Sequence, residues 1–357
     1  MADLFSATKL GRLELGNRVV MAPMTRSRAT NDGTPTEAMA EYYRQRASAG
    51  LIVSEGIYPS EDGKGYCRTP GLVSAAHVAG WKQVTEAVHE AGGTIVAQIM
   101  HCGRVGHLDN KQPGTELVSP SGLRARGDMF TDTAGMQPIS ETRALTLDEI
   151  PGVIAEFARA TELAYEAGFD GVEAHCASGY LPAQFLSTGP NQRDDAYGGA
   201  VENRIRFAVE AIEAMASIDG ADRVGFRICP GNPFNDLVDE DPVETFRAFL
   251  GALRGKGLAY CHVIRLNSIP NAPDIDNVAL AGAAFGEALI ANDSYDLSEA
   301  KQAVEDGTAD AISFARAYIG NPDLVERFKT GAELSRFNPK QLYSEGPEGY
   351  TDYPTLG

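Results

Sequence analysis

Short apolar runs alternate along this chain with longer stretches in which apolar residues recur every three or four positions. The short runs predict eight buried strands, at residues 18–22, 51–55, 94–99, 171–175, 224–228, 259–263, 288–291 and 311–314. The longer stretches predict helices at residues 36–49, 75–91, 147–167, 201–215, 242–256, 277–285, 297–305 and 322–328. Several of these helices follow Ser, Thr or Asp and end at glycine, as helix capping favours.

Eight strand and helix units in alternation predict an α/β fold, a single (β/α)8 TIM barrel in one domain over residues 1–357. An open doubly wound sheet is the alternative, but its G-x-G-x-x-G fingerprint after the first strand is absent. Residues 4–16 alternate apolar and polar positions around Gly11 and predict a hairpin at the barrel bottom. Residues 100–146 are too long and too rich in Gly and Pro for an ordinary connection, so we expect a lid over the active site.

Composition narrows the possible partners. The formal net charge is -18, and no Lys/Arg-rich stripe offsets it, so nucleic acid is not expected as a partner. The chain lacks a signal-peptide pattern and any run of about 20 apolar residues, so we expect a cytoplasmic protein without a membrane partner. Its five cysteines are widely spaced and contain no C-x-x-C, so neither a metal site nor a disulfide framework is expected.

Polar side chains stand at the carboxyl ends of the predicted strands, where barrel enzymes carry their chemistry. Arg227 lies in an apolar strand, where an unpaired charge is costly, and therefore favours a bound anionic or polar group. Arg316 precedes a helix start, and barrels often bind phosphate near strands seven and eight. Thr25 and Gln98 are equally compatible, taken alone, with strand-end caps. His175 and Asn292 complete this set.

Two common barrel chemistries are disfavoured. No lysine lies at a strand carboxyl end, which argues against a Schiff-base aldolase. The six histidines form no H-x-H pair, which argues against a metallohydrolase. The remaining polar groups indicate an organic cofactor, and a flavin-free lyase or isomerase stays open as the alternative.

Motifs spread from Leu4 to Leu356 resemble those of the Old Yellow Enzyme family of FMN-dependent ene-reductases. They are NRVVMAPMTR at 17–26, AEYYRQRASAG at 40–50, GFDGVE at 168–173, DAYGG at 195–199 with ENR at 202–204, IGNPDL at 319–324 and GYTDYP at 349–354. The resemblance implies a monomer or homodimer that takes hydride from NADPH or NADH and reduces an activated alkene: an enone, enal, nitroalkene or maleimide. Dienoyl-CoA reductases and demethylating dehydrogenases of related fold are a second alternative, but they carry an iron–sulfur cysteine cluster and a long C-terminal extension, neither of which is seen in this sequence.

The resemblance also implies an FMN site. In the family, the residue matching Thr25 tunes the flavin potential, and those matching Gln98 and Arg227 hold the pyrimidine edge. A fixed guanidinium there favours the negative charge of the reduced flavin. The implied cofactor residues are Ala22, Pro23, Met24, Thr25, Gly56, Gln98, Arg227, Asn292, Asp293, Ser294, Ala315 and Arg316.

The same resemblance implies three catalytic residues. His175 and Ser178 would donate hydrogen bonds to the carbonyl or nitro oxygen of the alkene, and Tyr180 would supply a proton to its α-carbon. Tyr66, Met100 and Tyr353 match positions that line the substrate mouth.

Four positions depart from the family pattern. Ser178 stands where most relatives have asparagine and some histidine, and Met100 where they usually have tryptophan. Asp293 and Ser294 replace a common Gly-Gly pair, and Ala315 a common glycine. These departures predict weaker carbonyl activation or a reshaped pocket, and they leave open a flavin-binding protein of the same fold with altered substrate or weakened ene-reductase activity.

Overall fold

Eight parallel strands form a closed barrel in the computed structural model, which describes residues 2–356. The strands of the whole chain are β1 Thr8–Leu10, β2 Leu13–Leu15, β3 Val19–Met21, β4 Leu51–Ile57, β5 Ile95–Ile99, β6 Val118–Ser119, β7 Asp128–Thr131, β8 Gly135–Pro138, β9 Arg143–Ala144, β10 Gly171–His175, β11 Val224–Ile228, β12 Tyr260–Ile264, β13 Leu289–Asn292 and β14 Ala311–Phe314. The barrel runs β3, β4, β5, β10, β11, β12, β13 and β14, and β14 pairs back with β3. All eight predicted barrel strands are confirmed, with ends within two residues.

Helices connect the barrel strands and cover their outer faces. They are α1 Glu37–Arg44, α2 Ala75–Glu90, α3 Ile150–Glu166, α4 Leu181–Leu186, α5 Val201–Arg204, α6 Arg206–Asp219, α7 Pro242–Leu253, α8 Asn277–Ala284, α9 Leu297–Glu305, α10 Arg316–Gly320 and α11 Leu324–Thr330. Ser74 caps α2 by accepting from the His77 N–H, and Asp296 and Glu299 form a capping box on α9. These side chains satisfy backbone donors that each helix start leaves unpaired.

The structure differs from the predicted helices in three ways. The helix predicted at 36–49 ends at Arg44, and residues 45–48 continue as turns. The helix predicted at 201–215 is divided into α5 and α6, and two short helices, α4 and α10, were not predicted. All six residues of α4 are buried and one is Pro182, so no polar face marks it as a helix in the sequence. No helix between residues 2 and 356 is long and apolar enough to cross a membrane.

The predicted N-terminal hairpin is confirmed. Strands β1 and β2 pair antiparallel, and Leu10, Leu13 and Leu15 pack against residues from the first halves of the barrel strands. Gly11 turns between them with φ +56°, and a Cβ there would lie 2.2 Å from the Asp222 carbonyl oxygen. Only glycine therefore fits the turn, and the hairpin fills the amino end of the barrel.

The lid, residues 100–146, covers the opposite end. Its hairpin of β7 and β8 and its short parallel pair β6 and β9 lie between β5 and α3. Met129 and Ile139 of the lid pack in one apolar cluster with Met100, Val105 and Tyr180. We call the lid-covered opening at the carboxyl ends of the strands the mouth.

Candidate active site

The strand-end side chains predicted for the cofactor converge at the mouth. Gln98 on β5, Arg227 on β11 and Asn292 on β13 are buried, and each is the last or next-to-last residue of its strand. His175 ends β10 and pairs in register with Arg227, while Gly56 of β4 pairs with Gln98. These groups therefore occupy the end of the barrel opposite the hairpin.

Arg227 has a buried N–H group without a partner. Its Nη2 donates to Asn292 Oδ1 at 2.6 Å, and the Asn292 amide donates in turn to the Ser313 carbonyl oxygen at 3.0 Å. The Nε of Arg227 has no hydrogen-bond partner among residues 2–356. A buried unpaired guanidinium N–H is costly, so this nitrogen fits a bound acceptor such as the pyrimidine edge of a flavin.

A hydrogen-bonded chain that the sequence reasoning missed lies beneath Gln98. The Gln98 amide donates to Glu173 Oε1 at 2.7 Å, and Glu173 Oε2 lies 2.8 Å from His262 Nδ1. His262 Nε2 lies 2.7 Å from the Ser313 hydroxyl oxygen. The available signal was the glutamate and the histidine in the middle of apolar strands, where polar side chains need partners.

Gly56 has no side chain, and Met100 packs directly against it. A Cβ at this position would lie 2.4 Å from the sulfur of Met100, whose side chain covers Gly56. Ala22 is buried at the end of β3, and residues 23–25 beyond it are half-buried. The predicted ring-binding segments thus border the same opening, with methionine where the family usually has tryptophan.

The predicted phosphate segment has a backbone that suits anions. Asp293 and Ser294 adopt left-handed φ angles of +82° and +57°, a conformation that can turn successive N–H groups toward one point. The Asp293 carboxylate accepts from the N–H and hydroxyl of Ser268 at 3.0 and 2.6 Å. Its charge is therefore engaged by the neighbouring loop. Ala315 is half-buried, and Arg316 is exposed at the start of α10.

His175 is a neutral hydrogen-bond donor. Its Nδ1 accepts from the Ala177 N–H at 3.3 Å, which assigns the ring proton to Nε2. Burial first, and then the positive charge of Arg227, lower the pKa of His175 to about 3. An Nε2–H that stays neutral suits donation to a substrate oxygen.

Tyr180 and Tyr66 form a hydroxyl pair beside His175. Their oxygens lie 3.0 Å apart, and the Tyr180 ring meets the His175 ring edge to face with centroids 4.8 Å apart. Burial raises the pKa of Tyr180 well above 10, and Tyr66 raises it further. Burial also raises the pKa of Tyr66. Tyr180 therefore keeps its proton until a strongly basic atom is near.

Ser178 lies between His175 and Tyr180 in an unusual backbone conformation. Its φ is +57°, and its carbonyl oxygen accepts from the Asn235 side-chain amide at 2.8 Å. Its hydroxyl makes no hydrogen bond to another residue of the described chain. Asp236, which follows Asn235 in the same loop, accepts from Arg126 of the lid at 2.8 Å. The lid thus stabilises the loop on which Ser178 rests.

The C-terminal segment contains Tyr343 and Tyr353, and Tyr343 lies near the tyrosine pair. The Tyr353 hydroxyl accepts from the Asn338 N–H at 3.3 Å. Tyr343 is 58% exposed, and its phenol contributes to the raised pKa of both Tyr66 and Tyr180 after the larger effect of burial. Sequence reasoning missed Tyr343 because it precedes the GYTDYP motif and has no distinctive neighbours.

One guanidinium positions Tyr343. Arg68, in a left-handed conformation with φ +50°, donates to the Tyr343 carbonyl oxygen at 2.8 Å and to that of Ser27 at 3.2 Å. It also forms a salt bridge with Asp132 of the lid. Arg68 therefore joins the lid, the C-terminal segment and the loop after β3.

The fold and this site together define a flavin-dependent oxidoreductase built on a TIM barrel. A model of the NADH:flavin oxidoreductase / NADH oxidase family matches residues 3–335. The chain belongs to that family. The predicted resemblance, the barrel fold and the dependence on FMN are therefore confirmed.

Known proteins resemble the chain along nearly its whole length. The "Probable flavin mononucleotide-dependent alkene reductase" of Leishmania infantum is 39% identical over 97% of this chain and 96% of its own. Morphinone reductase in complex with tetrahydroNAD superposes with a TM-score of 0.94 at 42% identity, covering 100% of this chain and 98% of that one. The Old Yellow Enzyme homologue of Zymomonas mobilis gives a TM-score of 0.95 at 40% identity, covering 99% and 100%. The predicted reaction, nicotinamide-driven reduction of an alkene, is therefore confirmed.

Proposed function

We propose that the substrate is an alkene conjugated to a carbonyl or nitro group, such as an enone, enal, nitroalkene or maleimide, with NADPH or NADH as hydride donor. The observation that carries this proposal is the neutral Nε2–H of His175 beside the protonated hydroxyl of Tyr180. His175 can donate to the substrate oxygen, and Tyr180 can protonate a substrate carbon, at the same end of the barrel.

The FMN site is proposed from the residues already described. When bound, FMN accepts hydride from the nicotinamide and passes it to the alkene. Gln98 and the unpaired Nε of Arg227 would hold the pyrimidine edge, and the Arg227 charge would favour the reduced form. The flavin ring would lie against Ala22, Pro23, Met24, Thr25 and Gly56, and the phosphate against Asn292, Asp293, Ser294, Ala315 and Arg316.

His175 and Ser178 would act on the substrate oxygen. Each donates one hydrogen bond to the carbonyl or nitro oxygen, which draws electron density from the double bond and stabilises the enolate charge that follows hydride arrival at the β-carbon. Only the His175 ring is already oriented by a hydrogen bond, which its Nδ1 accepts from the Ala177 N–H. We therefore assign His175 the larger share of this activation.

Tyr180 would complete the reduction by giving its hydroxyl proton to the α-carbon as the enolate collapses. The phenolate that forms is stabilised by the Tyr66 hydroxyl, 3.0 Å away, which becomes its hydrogen-bond donor. Hydride at one carbon and a proton at the other yield the saturated product. Tyr66, Met100, Tyr343 and Tyr353 would line the mouth, and the Tyr353 hydroxyl accepts from the Asn338 N–H.

The test is an anaerobic two-step experiment on the purified holoprotein. NADPH should bleach the flavin absorbance, and 2-cyclohexenone should restore it. In Tyr180→Phe the bleaching step should be unchanged and the restoration slow. Bleaching that no activated alkene reverses would contradict the proposed substrate class and favour the flavin-binding alternative. The unpartnered hydroxyl of Ser178 and the methionine at position 100 are the observations that favour that second function.

The proposal extends to the cellular form of the protein. We infer one catalytic domain over residues 1–357, acting in the cytoplasm as a monomer or homodimer. The acidic net charge of -18 supports a small-molecule substrate over a nucleic acid. Size-exclusion chromatography with light scattering would distinguish the monomer from the homodimer.

A further inference from the structure

We propose that Glu173 is a positioning residue that decides which end of the Gln98 amide faces the cofactor. The inference rests on the proposed placement of Gln98 at the pyrimidine edge of FMN. It extends the site from the residues at the mouth to the layer of barrel interior below them.

The side-chain chemistry of Gln98 and Glu173 allows only one orientation of the Gln98 amide. A glutamine amide presents an oxygen that accepts and an NH2 group that donates, whereas a carboxylate only accepts. Gln98 and Glu173 are register partners on β5 and β10, and 2.7 Å separates the amide nitrogen from Glu173 Oε1. The NH2 end of Gln98 must therefore point to Glu173, and its Oε1 is left for the mouth.

The carboxylate is itself held by a second contact. His262 Nδ1 lies 2.8 Å from Glu173 Oε2, and the Ser313 hydroxyl oxygen lies 2.7 Å from His262 Nε2. Burial by itself raises the pKa of Glu173, but His262, Arg227 and Gln98 together lower it below its ordinary value. All of these groups are buried in barrel strands, so the carboxylate is both ionised and fixed.

An acceptor facing the mouth matches one feature of the flavin. The pyrimidine ring carries an imide N–H at N3, which needs an acceptor when it is buried. A reversed Gln98 amide would place its own N–H groups against that donor and leave both unpaired. Glu173 therefore determines the donor and acceptor pattern that the cofactor meets.

The inference is tested by cofactor binding, without turnover. Apoprotein is titrated with FMN and with N3-methyl-FMN, and the loss of flavin fluorescence gives each Kd. Wild type should prefer FMN by about tenfold or more, because methylation removes the N3 donor. Glu173→Leu should reduce the preference to about threefold or less. Glu173→Gln should be intermediate, because Gln98 and His262 then compete for one oxygen. Ser313→Ala is the matched control. It removes only the hydroxyl at the far end of the hydrogen-bonded chain, beyond His262, and should keep the wild-type preference for FMN.

The outcomes separate two failures. If wild type itself does not prefer FMN over N3-methyl-FMN, the proposed contact of Gln98 is wrong, and the inference falls with it. If wild type prefers FMN and both Glu173 variants keep that preference, the contact stands and the positioning role of Glu173 is refuted. Circular dichroism checks the fold of each variant, and Glu173→Gln decides the question alone if Glu173→Leu does not fold.

Discussion

Replacing Ser178 with asparagine tests whether activation of the substrate oxygen limits this enzyme. The backbone at Ser178 is left-handed, with φ +57°, a region where asparagine is enriched several-fold among non-glycine residues. Its carbonyl oxygen is held by Asn235, and its hydroxyl has no partner in the described chain. The substitution should therefore keep the backbone in place while extending an amide donor farther toward the mouth than a hydroxyl reaches.

The expected gain follows from the value of one hydrogen bond. A neutral hydrogen bond contributes about 0.5–1.5 kcal/mol net, which corresponds to a factor of about 2 to 12 in rate when it forms in the transition state. We expect Ser178→Asn to speed reoxidation of the reduced flavin by cyclohexenone about three- to tenfold. The gain should fall on kcat more than on KM, because the oxygen becomes charged only during the reaction.

Stopped-flow absorbance measures both halves of this reaction on one sample. Reduction by NADPH should be unchanged in Ser178→Asn and serves as the internal control. Ser178→Ala, which lacks any side-chain donor, should be slower than wild type in reoxidation. Unchanged or slower reoxidation in Ser178→Asn, with normal thermal stability, would refute the reasoning that the serine limits activation.

Further predictions concern four other residues. Tyr180→Phe should slow reoxidation about 100-fold or more, with unchanged NADPH reduction in stopped flow, and near-wild-type reoxidation would contradict the acid role. His175, with a pKa near 3 set mainly by burial, should leave kcat flat between about pH 5 and 8; a step near pH 6.5 that His175→Asn abolishes would contradict this. Burial raises the pKa of Glu55 from 4.5 to about 7, so stability falls as pH rises through that window, and urea melts of Glu55→Gln should lack this loss of about 3 kcal/mol. Arg68→Lys should raise KM for the alkene with little change in kcat, and the reverse pattern would exclude a role in shaping the mouth.

The barrel was predictable from sequence because its signals are local and repeated. Each strand is a short buried run, and the long helices have apolar stripes, some of them preceded by a capping residue, as at Ser74 before α2. Helix α4 was missed because a fully buried helix with a proline lacks both signals.

The candidate site was predictable where chemistry coincided with a strand end, as for Gln98, His175 and Arg227. The supporting residues were not, because their roles depend on pairs distant in sequence. His262 matters through Glu173, which is 89 positions away, and Tyr343 through Arg68, which is 275 positions away. The sequence marks Glu173 and His262 as polar residues in apolar strands, but it does not show that they pair. Tyr353, which was assigned from its motif, stays a prediction.

The hairpin at the amino end has a consequence for the order of events. Leu10, Leu13 and Leu15 leave the barrel interior packed at that end, so the reactants share the lid-covered side as their route to the flavin ring. A nicotinamide and an alkene cannot both occupy the face of one ring, so each should arrive only after the other has left. Steady-state rates measured against both substrates should then give parallel double-reciprocal lines, the pattern of a ping-pong enzyme.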